Sequence, residues 1–541
     1  MDRLTDKPDW RRKVFDEDIV QRWRSEVVAP QDLRPDHHAR SQGFTPEMFD
    51  YCIRELRDKA RDFVDEGIVL LYDVDAGVAK SDSLVSEELK QDLRAAVRPL
   101  EDVPDKYKDW HPGSDNRVLD LVHPSLFPLI YDCTHILPEK SVTLENCLRL
   151  CGSGEPAEFK PIKETNEFYS WEYQWLPAEL AFTDDEVGVK FTSYINNLHP
   201  CRHEKLYAAI ERIAAKAVPL WSVTLGSFYS PRNRVPVNET IYEYDYPGQN
   251  KSDQPQDHVN LEQEPEPEST EERLQRIQEE QIAEYDRIQR SRRLVLPQPQ
   301  DYEPRDKPPF FNLRQKFIEK GLQVIVKLAN IHLTPEKPKY EGGSWHVEEM
   351  LNEHICATAL YYYDCENVTD SYLSFRQKID TSDEDGLAEQ NDYEGVEIMF
   401  DIKQDEPGIQ DVGSIKTQEG RMLAFPNVFQ HRVAPFKLND PTRPGHRKII
   451  ALFLVDPYCR IISTARVPPQ QKDWWADVVR KEGAVPKLPA ELLEYVVEDV
   501  EWPMSLEEAK EHRLKLMQER TAFAGTVDDV FEEDTFNFCE H

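Results

Sequence analysis

Apolar residues recur at helical spacing in two long stretches of the first 240 residues. One stretch runs from 44 to 68 and has Thr45 in the position of an N-cap. The other runs from 203 to 221, and we expect it to end at Pro219. Aromatic-rich segments such as FYSWEYQWLP lie between the two and are typical of buried chain. The pattern therefore predicts a mostly helical N-terminal region over residues 1–240, packed on a core that follows it.

The pattern changes from helical to strand-like after Gly321. Short β-rich runs follow one another between turn residues, namely LQVIVKLANIHL, ATALYYYD, VEIMFDI, RMLAFP and KIIALFLVD. Helix-length periodic segments are missing here, which favours an antiparallel sandwich or barrel over a sheet built from βαβ units. The runs KDWWADVVRK and SLEEAKEHRLKLMQERTAF then return to helical spacing. We predict an α+β protein with a β core over residues 309–470, and with C-terminal helices and an acidic tail over residues 471–541.

A break in composition separates these two regions, over residues 241–308. Between Lys251 and Arg290 the chain has twelve acidic and five basic residues, with Pro and Gln between them. The first part of this segment is predicted to be disordered. The part that begins at Ser269 is predicted to be an exposed charged helix, because Ser-Thr-Glu-Glu caps it and opposite charges recur four residues apart. We interpret residues 241–308 as an insertion or a linker.

Overall charge and apolar content narrow the classes of function. The chain has 541 residues and a formal net charge of -36, which argues against binding nucleic acid or anionic membranes. A run of about 18 apolar residues, as a membrane-spanning helix needs, is missing, and so is a signal peptide. Nine scattered cysteines without a CxxC pair argue against a disulfide framework. We expect a cytoplasmic protein.

Candidate chemistry is concentrated in the stretch GGSWHVEEMLNEHI, which begins at Gly342. If this stretch is a strand, His346 and Glu348 project to the same side, because residues two apart share a face. An imidazole and a carboxylate side by side form two thirds of the 2-His-1-carboxylate arrangement that holds Fe(II) with positions left open. The third ligand then has to be a histidine from another strand.

The best candidate for that ligand is His431, 85 residues further along the chain. It follows the strand-like run RMLAF and a Pro-Asn turn, and it begins a second strand. Sixteen residues beyond it, Arg447 starts the next strand, in PGHRKIIALFLVD. A guanidinium in this position could bind a carboxylate through two hydrogen bonds in the same cavity.

The order His-x-Glu, distal histidine and then a basic residue one strand later resembles the 2-oxoglutarate- and Fe(II)-dependent oxygenases. The string G-R-x-L-x-F-P…H-x-V-x-P particularly resembles their prolyl-hydroxylase-like branch. The runs QWLP, YINNLHP, GGSWHVE, FPNVFQHRV, PGHRKIIALFLVDP and VPPQQ are also similar to a large fungal family that is known mainly as a domain of unknown function. This similarity extends over residues 40–500. The glutamate in His-x-Glu departs from the aspartate that is common in the wider superfamily, which weakens the analogy to any one subfamily.

The resemblance implies a core of the double-stranded β-helix (jelly-roll) type. It further implies that His346, Glu348 and His431 bind Fe(II), and that Arg447 pairs with the distal carboxylate of 2-oxoglutarate. Tyr361, Tyr363 and Arg376 are candidates for its lining. Tyrosine hydroxyls often complete such a site, but a run of three tyrosines is also typical of the core of a barrel. Ordinary structural roles are expected for the remaining histidines of this region, namely His332, His354 and His446.

These inferences leave more than one function open. The first is an oxygenase that oxidises a small-molecule or peptide substrate. The second is a cupin-like barrel that keeps the fold and acts as a binding or scaffold protein. The third is a Jumonji-like oxygenase acting on basic peptides, which the negative charge of the chain would attract.

Overall fold

The computed structural model describes most of the chain, namely residues 1–28, 40–41, 44–72, 76–138, 141–158, 168–185, 187–229, 243–246, 270–299, 301–304, 311–348, 350–379, 394–482, 495, 499–500, 502–533 and 535. Its helices are α1 (Asp2–Thr5), α2 (Trp10–Lys13), α3 (Glu17–Val27), α4 (Pro46–Glu66), α5 (Glu87–Glu101), α6 (Glu204–Gly226), α7 (Thr270–Ser291), α8 (Leu313–Phe317), α9 (Glu394–Phe400), α10 (Lys472–Glu482) and α11 (Leu506–Glu533). Within these residues, no helix is long and apolar enough to cross a membrane.

The strands are short before residue 300 and long after it. They are β1 (Arg40–Ser41), β2 (Val69–Leu71), β3 (Val78–Ser81), β4 (Val118–Val122), β5 (Leu129–Ile130), β6 (His135–Ile136), β7 (Glu155–Pro156), β8 (Tyr173–Gln174), β9 (Ala178–Phe182), β10 (Val189–Phe191), β11 (Glu243–Asp245), β12 (Arg293–Val295), β13 (Leu322–Leu333), β14 (Lys339–Tyr340), β15 (Ile355–Glu366), β16 (Ser371–Lys378), β17 (Ile409–Thr417), β18 (Met422–Pro426), β19 (Gln430–Val433), β20 (Phe436–Lys437) and β21 (Gly445–Val455).

Nine strands form one antiparallel sheet, the main sheet. Its order is β10-β9-β13-β21-β15-β18-β3-β2, and β4 pairs with the second half of β13. A second antiparallel sheet has the order β17-β16-β19, and β14 pairs separately with β20. The described strand pairings do not close these sheets into a barrel. The predicted α+β class with antiparallel sheets is confirmed.

Apolar side chains fill both faces of the main sheet, because its strands carry large residues on alternating sides. The outer face packs against α5 and α6, with Leu93, Ile213 and Leu452 in one continuous core. The inner face packs against the second sheet, where the Phe375 ring lies 5.1 Å from the Phe425 ring. The space between the two sheets is therefore enclosed, and this space contains the candidate site described below.

Residues 1–240 contain strands as well as the predicted helices, because β2 to β10 all lie in this region. Five of them, β2, β3, β4, β9 and β10, belong to the main sheet, so the β core is not confined to residues 309–470. These strands have two to five residues each, which is too short for alternation to stand out in the sequence. Three of those in the main sheet pair with longer strands, β3 with β18 and both β4 and β9 with β13.

Three further predictions concern local structure. Thr45 caps α4 as predicted, since its hydroxyl accepts the backbone N–H of Met48 at 3.2 Å. Pro219 does not end its helix, which continues to Gly226. The run that contains Val396, predicted to be a strand, forms the helix α9 instead, because no neighbouring strand pairs with it among the described residues.

The acidic insertion and the tail are described only in part. The segment that was predicted to be disordered, 252–269, lies outside the described residues, and the charged stretch after it forms α7. The helix α11 extends to Glu533, so the first part of the predicted acidic tail is helical. No disulfide bond joins the eight cysteines that the structure describes.

Gly321 makes the tight turn into β13 with a φ of +65°, and a Cβ at this position would lie 2.5 Å from the carbonyl oxygen of Leu180. We expect Gly321→Ala to lower the free energy of unfolding by about 1–3 kcal/mol, through backbone strain and this contact. Gly420 is the matched control, because its φ is +83° and a Cβ there would meet no described atom within 4 Å. Urea denaturation should show the larger loss at Gly321; equal losses would mean that the contact adds nothing.

Candidate metal centre

Backbone hydrogen bonds join two histidines that lie 85 residues apart. The N–H of His346 donates to the carbonyl of His431 at 3.1 Å, and the N–H of His431 donates to the carbonyl of His346 at 3.0 Å. Residues paired in this way project their side chains to the same face, and the two imidazole rings lie 4.4 Å apart. His431 also lies 4.8 Å from the ring of Phe425, so the pair faces the space between the sheets.

Glu348 completes the cluster from a bend just beyond the paired residues. Its backbone N–H donates to the side-chain oxygen of Asn427 at 3.0 Å. Its Oε1 lies 3.1 Å from Nε2 of His431 and 3.9 Å from Nε2 of His346. One potential ligand atom from each of the three residues lies within 4.8 Å of the others. The structure therefore brings together all three residues that were predicted to be ligands.

The reason given for that prediction is wrong in detail. His346 and Glu348 were expected on one regular strand, but only His346 makes a strand-like pairing, and Glu348 lies in a bend. The chain leaves the pairing after His346 because the Asn427 side chain, rather than a neighbouring strand, accepts the N–H of Glu348. The two side chains converge through this contact and not through strand alternation.

Charge and burial keep two of these groups deprotonated. Burial and the neighbouring His431 lower the pKa of His346 to about 4. Burial alone would raise the pKa of Glu348, but the hydrogen bond from His431 and the charges of both histidines outweigh it and lower this pKa to about 2. At neutral pH, His346 and Glu348 therefore present a lone pair and a negative charge, the forms that bind a metal cation.

The donor atoms also fit a divalent transition metal. Nδ1 of His346 lies 2.9 Å from the carbonyl oxygen of Ser344, so Nδ1 carries the proton and Nε2 keeps a free lone pair. Nδ1 of His431 is buried and has no partner among the described residues, whereas its Nε2 donates to the Glu348 carboxylate; a metal ion bound to Nε2 would replace that proton. Two imidazoles and one carboxylate are the ligand set typical of non-haem Fe(II), with three positions left open in octahedral coordination.

Arg447 lies on the inner face of the main sheet and reaches across to the second sheet. Its Nη1 donates to the hydroxyl of Ser371 at 2.8 Å and to that of Thr417 at 3.2 Å. The residue is 1% exposed, and its Nε has no hydrogen-bond partner in the described part of the chain. No carboxylate among the described residues forms an ion pair with it. A buried cation without an anion is costly, so the site favours a ligand that carries a carboxylate.

The spacing between Arg447 and the cluster follows from the second sheet. His431 pairs with Phe375 on β16, and the Arg447 partner Ser371 lies four residues earlier on the same strand. Four residues of a strand correspond to about 13 Å. Ser371 and Phe375 also share the buried side of β16. The cluster and the guanidinium therefore both face the space between the sheets, at different points along β16.

The two tyrosines predicted to line the site point away from it. Tyr361 and Tyr363 belong to the outer core that packs on α5 and α6, and the Tyr363 hydroxyl donates to the Asn330 side chain at 3.1 Å. Tyr362 points inward, with its ring 5.4 Å from the Arg447 guanidinium. Three consecutive tyrosines in the sequence gave no basis for choosing which of them faces inward. Strand alternation puts the middle one, Tyr362, in the site.

Arg376, the other candidate for the lining, lies beside the cluster. Its guanidinium stacks 4.7 Å from the ring of Trp345, and its Nε donates to Gln430 at 2.6 Å. Its Nη2 pairs with Asp528 of α11 at 2.9 Å. The same Asp528 accepts from Gln430, which precedes His431 in the chain. The C-terminal helix therefore covers this side of the site. The histidines expected to have structural roles, His332, His354 and His446, are not part of the cluster.

A second polar cluster, formed by His111, Asp120 and His123, was missed in the sequence. One potential ligand atom from each lies within 4.8 Å of the others. Nδ1 of His111 lies 2.9 Å from Asp120, and Arg513 of α11 binds Asp109 and approaches Asp120 to 3.9 Å. In the sequence, His111 and His123 end two ordinary tripeptides, DWH and LVH, which give no sign of a cluster. The pairing of β4 with β13 brings Asp120 to the core.

Comparison with protein families gives one match that covers most of the chain. A model described as "Protein of unknown function (DUF4246)" matches residues 46–478. A second model, described as "Domain of unknown function DUF4246, N-terminal", matches residues 1–26. Among curated proteins, no sequence matches the chain.

Solved structures give only distant matches. An Fe(II)/(alpha)ketoglutarate-dependent dioxygenase, TqaL, has 12% identity over 25% of this chain and 42% of its own, with a TM-score of 0.16. IDO from Bacillus thuringiensis has 13% identity over 26% and 48%, with a TM-score of 0.15. A bsmA homolog from Methylobium petroleophilum PM1 has 11% identity over 26% and 45%, with a TM-score of 0.16. The matches span less than half the length of each of these proteins, and such TM-scores establish neither fold nor activity.

Proposed function

The chain belongs to the DUF4246 family of proteins of unknown function, and we propose that it is an Fe(II)- and 2-oxoglutarate-dependent oxygenase of the hydroxylase type. One observation carries the proposal: a cluster of two histidines and one glutamate faces the same space between the sheets as a buried arginine that lacks a carboxylate partner among the described residues. The first part suits Fe(II), and the second suits the distal carboxylate of 2-oxoglutarate. The substrate is a small molecule or a peptide.

The order of the long strands supports a core of the double-stranded β-helix type. The central strands of the main sheet run β13-β21-β15-β18, and they face the second sheet β17-β16-β19. The chain alternates between the two layers as it passes from β15 to β16, from β17 to β18, and from β19 to β21. This alternation is what a jelly roll requires. A relationship to the fungal, prolyl-hydroxylase-like branch remains part of the proposal.

In this reaction the role of the chain would be to bind the metal and 2-oxoglutarate, to orient them and to exclude water. His346, Glu348 and His431 would hold the metal. Arg447 would fix the distal carboxylate, with Ser371 and Thr417 holding the guanidinium in place. When bound, iron and 2-oxoglutarate supply the oxidising chemistry, in which O2 converts 2-oxoglutarate to succinate and CO2 while the substrate is hydroxylated. Phe425, packed on Phe375, lies 4.8 Å from the His431 ring and would exclude water from that side of the site.

Anaerobic titration of the purified protein with Fe(II) and 2-oxoglutarate tests the proposal. We expect a weak visible charge-transfer band when both are present, and slow succinate formation once O2 is admitted. Omission of either component is the control. Well-folded protein that shows neither the band nor succinate would contradict the proposal. A melting temperature unchanged by 2-oxoglutarate would then favour a cupin-like scaffold without catalysis, because a bound ligand stabilises the folded state by mass action.

A further inference from the structure

The two halves of the C-terminal helix α11 are anchored to the fold to different degrees. The buried residues of this helix all lie in its first half, namely Ala509, Arg513 and Leu516. The next anchor is Arg520, which pairs with the buried Glu353. In the remainder, residues 521–533, every residue is partly or fully exposed. A segment with few buried contacts opens locally at low cost in free energy. This terminal segment of α11 is therefore the part of the helix that detaches most easily.

Asp528 joins the terminal segment to the strand that carries His431. Its Oδ1 accepts hydrogen bonds from Nη2 of Arg376 and from Nε2 of Gln430, both at 2.9 Å. Nε of Arg376 donates to Oε1 of Gln430 at 2.6 Å, so the three side chains form a closed ring of hydrogen bonds. Gln430 is 0% exposed and directly precedes His431 on β19. If the terminal segment detached, the buried Gln430 amide would lose its acceptor among the described residues, which is costly.

Arg376 extends this contact to the other histidine of the metal centre. Its guanidinium lies 4.7 Å from the ring of Trp345, which directly precedes His346. The guanidinium of the exposed Arg432 lies 4.4 Å from the same ring. Two positive charges beside one ring repel each other, and among the described carboxylates only Asp528 forms an ion pair with either arginine. Asp528 therefore stabilises the neighbours of both histidines.

The placement of His431 relies on the backbone of β19. A histidine that binds a metal ion is usually oriented by a hydrogen bond to its second ring nitrogen. In His431 this nitrogen is Nδ1, which has no partner among the described residues. The strand itself is short, Gln430–Val433. It pairs with β16 on one side, and the bridge between His346 and His431 joins it on the other. A contact that fixes Gln430 therefore also fixes the position of the next residue, His431.

We propose that Asp528 is a positioning residue of the metal centre, and that docking of the terminal segment of α11 regulates how tightly this centre holds its metal ion. The inference rests on the proposed function for the nature of the centre. Gln430 and His431 are consecutive on a strand and point to opposite faces, so α11 acts from behind the ligands. By thermodynamic linkage, if docking raises the affinity for the metal ion, the metal ion strengthens docking by the same factor.

Amide hydrogen exchange in the full-length protein tests this coupling without a substitution at Asp528. Exchange over residues 521–533 is measured by mass spectrometry with and without saturating Mn(II), in the absence of 2-oxoglutarate. Contacts behind a metal ligand change metal affinity about 10–100-fold, and we expect the lower end of this range because Asp528 acts through Gln430. Mn(II) should therefore slow the exchange about 10-fold. His346→Ala should abolish both the binding of Mn(II) and this slowing.

Asp528→Ala tests the residue itself, and Asp529→Ala is the matched control. Asp529 is the next residue of α11 and is exposed, and both substitutions remove one negative charge from the same helix. We expect Asp528→Ala to bind Mn(II) about 10-fold more weakly than the wild type, and to lose the slowing of exchange by Mn(II). Asp529→Ala should behave like the wild type. Binding is followed by the electron paramagnetic resonance signal of free Mn(II).

Two results would overturn the inference. One is exchange over residues 521–533 of the wild type that Mn(II) leaves unchanged although it binds. The other is an Mn(II) affinity of Asp528→Ala equal to that of Asp529→Ala; with a lowered melting temperature, it would show that Asp528 is only structural. Failure of the metal centre gives a different result, because Mn(II) would then bind the wild type no better than His346→Ala. That outcome would reject the proposed function together with the inference.

Discussion

The variants His346→Ala and Glu348→Gln are expected to form succinate from 2-oxoglutarate no faster than metal-free protein. Each change removes one of three ligands whose donor atoms lie within 4.8 Å of one another. Glu348→Gln is the sharper change, because an amide keeps the size of the side chain and its hydrogen bond to His431 but loses the negative charge. The measurements are Fe(II) content after anaerobic desalting and succinate formed per protein.

Glu341→Ala is the control for these variants, because Glu341 is exposed and precedes the glycines that lead to His346. It should keep both the iron and the activity. Melting curves of all variants are needed to separate loss of metal from loss of fold. If His346→Ala and Glu348→Gln remain folded and still turn over 2-oxoglutarate like the wild type, the metal is held elsewhere and the assigned ligands are wrong.

The sequence was sufficient to find the three residues that the structure brings together in the candidate metal centre. The order of His346, Glu348, His431 and Arg447 along the chain, with strand-like runs between them, was enough to assign them to one site. The geometry that unites them was not predictable in detail. Glu348 reaches the cluster through Asn427, and a contact between side chain and backbone across 79 residues leaves no periodic trace in the sequence.

What the sequence missed depends on pairing between distant strands. In Tyr361, Tyr362 and Tyr363 three identical side chains alternate, so only the register of β15 against β21 shows which of them faces Arg447. The strand β4 has five residues, and it joins the sheet only because β13 offers an edge. That pairing places Asp120 opposite Ala329 in the main sheet. Long, regular strands were therefore predictable, whereas short strands and the clusters that they position were not.

Two buried arginines make a matched pair with opposite expected effects on stability. Arg421 is fully buried and pairs with Asp6 and with Asp82. Replacing it with methionine leaves Asp82 without its cation, whereas Asp6 keeps Lys80 at 2.6 Å. Loss of one partner of an ion pair costs about 3–5 kcal/mol when both partners are buried. Asp82 is 45% exposed, so we expect Arg421→Met to lower the free energy of unfolding by about 3 kcal/mol, near the lower limit.

Arg447→Met should behave differently, because no described carboxylate depends on Arg447. Its hydroxyl partners keep other acceptors, since Thr417 donates to the Ser371 carbonyl at 3.0 Å and Ser371 reaches the Ala434 carbonyl at 3.4 Å. Methionine fills the space between the rings of Tyr362 and Phe436 without a buried charge. We expect the free energy of unfolding without ligands to stay the same or to rise by about 1–4 kcal/mol.

The same Arg447→Met variant is expected to lose the stabilisation by 2-oxoglutarate. Removal of a bidentate guanidinium takes away two charge-assisted hydrogen bonds, each worth about 1.5–3 kcal/mol, so affinity should fall at least about 100-fold. Urea denaturation with and without Mn(II) and 2-oxoglutarate measures both effects, and Arg421→Met should still respond to the ligand.

Destabilisation of ligand-free Arg447→Met by several kcal/mol would mean that the arginine is structural. Retained 2-oxoglutarate binding would mean that another cation anchors the co-substrate. A protein that is more stable without Arg447 and no longer binds its co-substrate would show that this buried charge is kept for the ligand.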